Sequence, residues 1–141
     1  MDFMFAKDKD HMSGYVVMMF YVLIMLDFAA GGHIIGGATK ESIDWFNLFL
    51  GISYLICSAG LIILLIGYKI GGLIVFIGSA IQPICGIFID TLSLPNGGNK
   101  WGLIIGMMIL HIILVSVVLF GERKYYLTHI AVRTKIKVKN Q

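Results

Sequence analysis

The chain has 141 residues, of which 58% are hydrophobic and 13% charged, with a formal net charge of +3. A soluble domain carries about 25% charged residues, so a water-facing globule with an ordinary polar surface is excluded, and a mean hydropathy of +0.90 agrees. The apolar residues come in blocks, as membrane spans do, and the segments between them are too short for a soluble catalytic domain.

In chain order, residues 1–13 are short, mixed in charge and expected to form a cytoplasmic surface segment. The apolar stretch that follows is too long for a cleavable signal, and no small-residue cleavage site leads into a mature domain. That stretch, Gly14 to Gly37, matches the roughly 20 apolar residues that cross a bilayer, yet it carries Asp27 near its middle. An ionisable side chain at such depth needs a partner, a water-filled cavity or a function. A polar loop with Lys40, Glu41 and Asp44 leads to Trp45, which opens a second span ending near Gly67. Tyr68 and Lys69 form a tight turn into a third span, Ile70 to Ile89. The connection from Asp90 to Lys100 contains Pro-Asn-Gly-Gly, strong turn chemistry. Trp101 leads into the fourth span, Gly102 to Gly121, and hydrophobicity then stops at Glu122-Arg123-Lys124. The expected fold is an all-α integral membrane four-transmembrane-helix bundle over 14–121, with spans at 14–37, 45–67, 70–89 and 102–121, short loops and a basic tail at 122–141.

An even number of spans places both termini on one side. With them fall Lys7, Lys9, Lys69, Arg123, Lys124, Arg133, Lys135, Lys137 and Lys139, against Lys40 and Lys100 on the other. This positive-inside bias makes both ends cytoplasmic. Trp45 and Trp101 then sit at the outer interface, and Tyr68, Tyr125 and Tyr126 at the inner one. A multi-pass protein of a prokaryotic cell membrane or an organelle inner membrane is expected.

Three small-xxx-small pairs, Gly32/Gly36, Gly67/Gly71 and Gly102/Gly106, are expected to let helix backbones approach closely. Gly71, Gly78 and Cys85 recur every seven residues along the third span. Cys57 and Cys85 lie in apolar runs and read as buried packing residues rather than a disulfide or metal pair.

Depth follows from a rise of about 1.5 Å per residue, which puts Asp27 within roughly 3 Å of the midplane. His111 falls at almost the same depth in the fourth span, Cys57 and Ser58 near the centre of the second, and Gln82 beside Pro83 just outward in the third. Every span thus contributes a polar or soft atom to one layer. In hydrocarbon Asp27 and His111 would each favour the uncharged form alone; facing each other they can share a proton, as an interhelical clasp or as a proton relay. His111 lies opposite Gly102 and roughly 140° around the helix from Gly106. If the glycine face packs inward, His111 points toward a partner protein.

Sharper chemistry finds less support. Bis-histidine haem ligation is disfavoured because His33 lies about 11 Å outward of the first span's centre. Met107 and His111 at i, i+4 are weak copper candidates, with Met18, Met19 and Met25 as further soft atoms. No Cys-x-x-Cys, His-Glu-x-x-His or Gly-x-Ser-x-Gly motif occurs. Four short helices with one embedded carboxylate in the first resemble the small multidrug resistance exporters in outline alone, since their sequence motifs are missing and their carboxylate is a glutamate. In the tail, Arg133, Lys135, Lys137 and Lys139 alternate with Val132, Thr134, Ile136 and Val138, suiting contact with anionic headgroups or strand addition to a partner's sheet. Nucleic acid is not expected, because no aromatic stacking platform accompanies these charges.

The expected function is a small non-catalytic accessory or structural subunit of a larger membrane complex, with lipids and other membrane subunits as partners, structural lipid bound and no other cofactor. The alternatives are a proton-coupled transporter or proton-conducting protein using Asp27 and His111, and a haem- or copper-associated redox subunit.

Overall fold

The structure, a computed structural model, describes residues 14–66, 68–92 and 99–118, with side chains from Val17 onward. These residues form α1 (Gly14–Ala38), α2 (Trp45–Ile66), α3 (Ile70–Phe88) and α4 (Lys100–Ser116), with no strand among the described residues. Three of the helices, α1 to α3, are long and apolar enough to cross a membrane, and α4 is a shorter apolar helix. This is the architecture of a multi-pass membrane protein. The fourth span was expected from Gly102, but α4 begins at Lys100 because the Asn99 side chain accepts from the backbone N–H groups of Trp101 and Gly102. A side-chain oxygen at this position satisfies amides the helix leaves unpaired. Gly121 and the basic tail lie outside the described residues.

Polar contacts gather at one end. Asp44 caps α2 by accepting from the backbone and side-chain N–H groups of Asn47, at 3.2 and 2.7 Å. Asn47 also donates to the Thr91 carbonyl at 3.0 Å, and the Lys100 ammonium donates to the Ile89 carbonyl. The start of α2, the end of α3 and the start of α4 therefore meet, with Trp45 and Trp101 exposed beside them. The turn at Tyr68 and Lys69 closes the opposite end, where Gly71 and Gly72 donate to the carbonyls of those residues.

Packing joins each helix to the next, and α4 also touches α1. The interior contains Phe20, Leu50, Leu61, Leu64, Ile104 and Leu114, all essentially fully buried. Large apolar residues also cover the outside: Met25 is 69% exposed, Phe76 68% and Ile87 67%. Such a surface suits hydrocarbon, where apolar burial gives helices no reason to associate and close van der Waals packing takes over.

The glycines that permit this packing differ from most of those expected. A Cβ at Gly60 would lie 2.8 Å from the Gly71 carbonyl oxygen, and one at Gly71 would fall on the Gly60 carbonyl and the Leu64 amide. Gly31 and Gly51 bring α1 against α2 in the same way, and Gly78 leaves room for the Cys57 sulfur. By contrast, a Cβ at Gly32, Gly36 or Gly106 would meet nothing within 4 Å, and one at Gly102 would meet only Asn99 of its own cap. Among the expected positions Gly71 makes a close approach, Gly32, Gly36, Gly102 and Gly106 face outward, and Gly67 lies outside the described residues. Spacing of four puts two glycines on one face without saying which face; here the tight crossings pair single glycines on facing helices.

Thermal unfolding in detergent checks this. Gly71→Ala is expected to cost about 1–3 kcal/mol, the range for overpacking, because backbone atoms cannot move aside. Gly36→Ala and Gly106→Ala are expected to stay within about 0.5 kcal/mol of wild type.

Candidate functional site

On α1 the buried positions are Phe20, Leu23, Ile24, Asp27, Gly31, Ile34 and Ala38, a repeat of three and four that traces one helix face. Asp27 occupies the middle of that inward stripe. On α4 the buried set is Ile104, Met107, His111 and Leu114, so the same periodicity turns His111 inward. The two side chains meet with His111 Nε2 2.8 Å from Asp27 Oδ2, at 1% and 0% exposure. His111 therefore does not point to a partner, as an inward glycine face would have required. Gly102 and Gly106 occupy the outer face of α4, and the histidine takes the inner one.

The second ring nitrogen fixes the proton arrangement. His111 Nδ1 lies 2.6 Å from the backbone carbonyl oxygen of Met107, one turn earlier. A carbonyl oxygen can only accept, so Nδ1 carries a hydrogen and donates it. Nε2 then faces Asp27 Oδ2 with one proton between them, held either as a carboxylic acid donating to a neutral imidazole or as an imidazolium donating to a carboxylate. Both arrangements are neutral overall, which is what a hydrocarbon surrounding requires of a buried pair.

In the interior, α2 contributes Tyr54, Cys57 and Ser58, and α3 contributes Ser79 and Gln82, all buried. The Cys57 sulfur is the junction between these helices: Gln82 Nε2 donates to it at 3.5 Å, Ser79 Oγ lies 3.7 Å away, and its S–H reaches the Val75 carbonyl at 3.7 Å. Among the described residues, the buried polar atoms Asp27 Oδ1, Tyr54 OH, Ser58 Oγ and Gln82 Oε1 have no hydrogen-bond partner. On the flank of His111, a cavity of about 150 Å³ runs between α3 and α4, lined by Gly72, Val75, Ser79, Met108, His111 and Val115 among others.

The structure thus brings Asp27 and His111 into contact and places Ser58 and Gln82 in the buried interior. Tyr54 and Ser79 were missed. Both were findable, since Tyr54 precedes Cys57 and Ser58 by three and four residues and Ser79 precedes Gln82 by three, spacings that share a helix face. Met107 serves His111 through its carbonyl oxygen, while Met18, Met19 and Met25 are exposed on the outer side of α1, so these sulfurs do not gather at His111. His33 is likewise exposed. No group of three or more His, Cys, Asp and Glu converges as a metal site among the described residues. Arg133, Lys135, Lys137 and Lys139 lie outside the described residues.

Comparison with protein-family models finds no match, and neither the curated proteins nor the solved structures include a match to this chain. What can be said of the site comes from its own geometry.

A double-mutant cycle tests whether the contact is worth what the geometry implies. Asp27→Leu and His111→Leu should each cost about 1–3 kcal/mol by stranding a buried polar partner. The double variant should cost less than the sum of the two, by about 1 kcal/mol, the scale of interhelical hydrogen bonds in membranes. Strict additivity would mean that the side chains do not interact.

Proposed function

We propose that the chain is a small non-catalytic accessory or structural subunit of a larger membrane complex, built as a four-helix bundle with both termini on the cytoplasmic side. The observation that carries this reading is the division of the helix faces. Asp27 and His111 are turned inward and occupied by one another, while Gly32, Gly36, Gly102 and Gly106 are turned outward. His111 has no ring nitrogen left for a ligand, since Met107 takes one and Asp27 the other. Gly32 and Gly36 on α1, and Gly102 and Gly106 on α4, present small faces with no neighbouring helix of the described residues against them. A further transmembrane helix packs most closely onto such a face.

On this reading Asp27 and His111 clasp α1 to α4 inside the bundle, and the outer faces of those helices meet other subunits and tightly held lipid. The excess of basic residues at the termini and in the Tyr68–Lys69 turn sets the orientation, and the positive charge of residues 122–141 suits anionic headgroups. A prokaryotic cell membrane or an organelle inner membrane fits this composition.

A second reading, a proton-coupled transporter or proton-conducting protein, draws on one specific feature. Asp27 Oδ1 is buried and unpartnered, a vacant acceptor on the carboxyl group that shares the proton. The two readings diverge at Asp27→Asn. An asparagine amide can still donate to His111 Nε2, so a clasp survives, whereas a carrier of protons loses its titrating group.

The test is extraction from native membranes in mild detergent, with the mass of the co-migrating species measured for wild type, Asp27→Asn and Gly102→Leu/Gly106→Leu. The subunit reading expects a large stoichiometric assembly for wild type and Asp27→Asn, and its loss for the glycine variant. A species made of this chain alone, with proton flux in vesicles abolished by Asp27→Asn, would replace it with the transport reading.

A further inference from the structure

The contact between α3 and α4 is close at one end and open at the other. Near Trp101, Gly86 lets α4 press against α3, since a Cβ there would lie 2.7 Å from Ile104 Cδ1 and 3.4 Å from the Trp101 ring. Toward the other end the two helices leave a groove of about 150 Å³, running from Ala80 to Gly72 on α3 and from Met108 to Val115 on α4. Phe76 and Ile112 belong to its lining and are exposed on the outer surface, so it opens toward hydrocarbon rather than into the bundle.

Shape and chemistry narrow the occupant. From Ala80 to Gly72 the groove extends about 12 Å along the helix axis, most of the half-thickness of a roughly 30 Å hydrocarbon core. It follows the direction in which an acyl chain lies, and it is too slight to admit a helix, which is about 10–12 Å across. Of its lining only Ser79 and His111 carry polar side chains. Both are engaged, Ser79 with the Cys57 sulfur and His111 with Asp27 and Met107. The groove therefore offers an occupant dispersion contacts and no hydrogen bond, which suits a hydrocarbon chain.

Charge selects the headgroup. The mouth at Gly72 and Val115 lies at the end of the bundle closed by the Tyr68–Lys69 turn, with Lys69 at the start of α3, one turn before Gly72. The chain leaves α4 at the same end, and residues 122–141 carry six Lys and Arg against one acidic side chain, Glu122. A negatively charged headgroup is favoured there. We propose that this groove binds one acyl chain of an anionic phospholipid, with the headgroup at the basic end of the bundle. The chain fills the gap beyond Gly86 and completes the seating of α4 beside His111. This site rests on the proposal that tightly held lipid covers the outer helix faces, and it needs no partner subunit.

Methyl NMR of the full chain, methionine-labelled in an uncharged detergent, tests it on addition of an equimolar phosphatidylglycerol spin-labelled on its acyl chain. The expected result is loss of most of the Met108 signal, in the groove, with little change at Met25, exposed on the outer side of α1. Phosphatidylcholine labelled at the same carbon should need several-fold more lipid for the same loss. Ala80→Trp, which fills one end of the groove from an exposed position, should reduce the Met108 loss several-fold. Equal loss at Met25 and Met108 in the wild-type chain would overturn the site, and that comparison needs no variant to fold. An unchanged Met108 loss in Ala80→Trp would also overturn it, and equal potency of the two lipids would overturn the anionic class. A Met108 signal that ignores lipid but shifts with protein concentration would assign the groove to a second copy instead. All of these are read on the isolated chain, so they stand or fall apart from the co-migration result for the assembly.

Discussion

Hydrocarbon offers a side chain no hydrogen bonds, so every polar atom carried into it must find its partner inside the protein or hold one there. That constraint organises this interior. Asp27 and His111 come from α1 and α4, at nearly opposite ends of the sequence, and each is the other's partner at 2.8 Å. The Met107 carbonyl finishes the histidine and sets its tautomer. Ser79 and Gln82 then meet the Cys57 sulfur across α2 and α3. The polar layer is less a site added to a bundle than the set of contacts that decides which faces of four apolar helices turn inward.

Packing supplies the closeness that these contacts need. Glycines at crossings, with Gly60 against Gly71 and Gly31 against Gly51, let backbones approach to distances that any Cβ would prevent. Single glycine pairs therefore bring α1 against α2 and α2 against α3, whereas α4 is held through larger side chains and the histidine. The Asp27–His111 hydrogen bond thus matters most where the apolar packing is least intimate. It ties the last described helix to the first and closes the ring.

Much of this was legible in the residues. Four apolar blocks and the tryptophans that open the second and fourth follow from hydropathy, and the helical rise sets Asp27 and His111, which meet, at nearly one depth. Boundaries held closely where local chemistry marks them, as at Trp45 after the Asp44 cap. The start of α4 was missed by two residues, because the capping role of Asn99 was hidden in a run of turn residues. Facing was harder. The Gly-xxx-Gly pairs on α1 and α4 look like packing motifs in one dimension, yet the interior stripes of those helices run through Asp27 and His111, and two such stripes cannot share one face. Once those polar residues are assigned to the interior, the glycines must turn outward. Tyr54 is not marked by its sequence, because an aromatic residue in an apolar span looks like filler until its hydroxyl is found buried.

The account stands on the hydrogen arrangement of His111. Nitrogen NMR of histidine-labelled protein in lipid bilayers measures it directly, because protonated and bare ring nitrogens resonate far apart. The account predicts that His111 Nδ1 is protonated and remains so as the bulk pH changes, with Nε2 showing a hydrogen bond to Asp27 that is lost in Asp27→Leu. A His111 signal with a bare Nδ1, or one that titrates freely with the bulk and ignores the loss of Asp27, would contradict it.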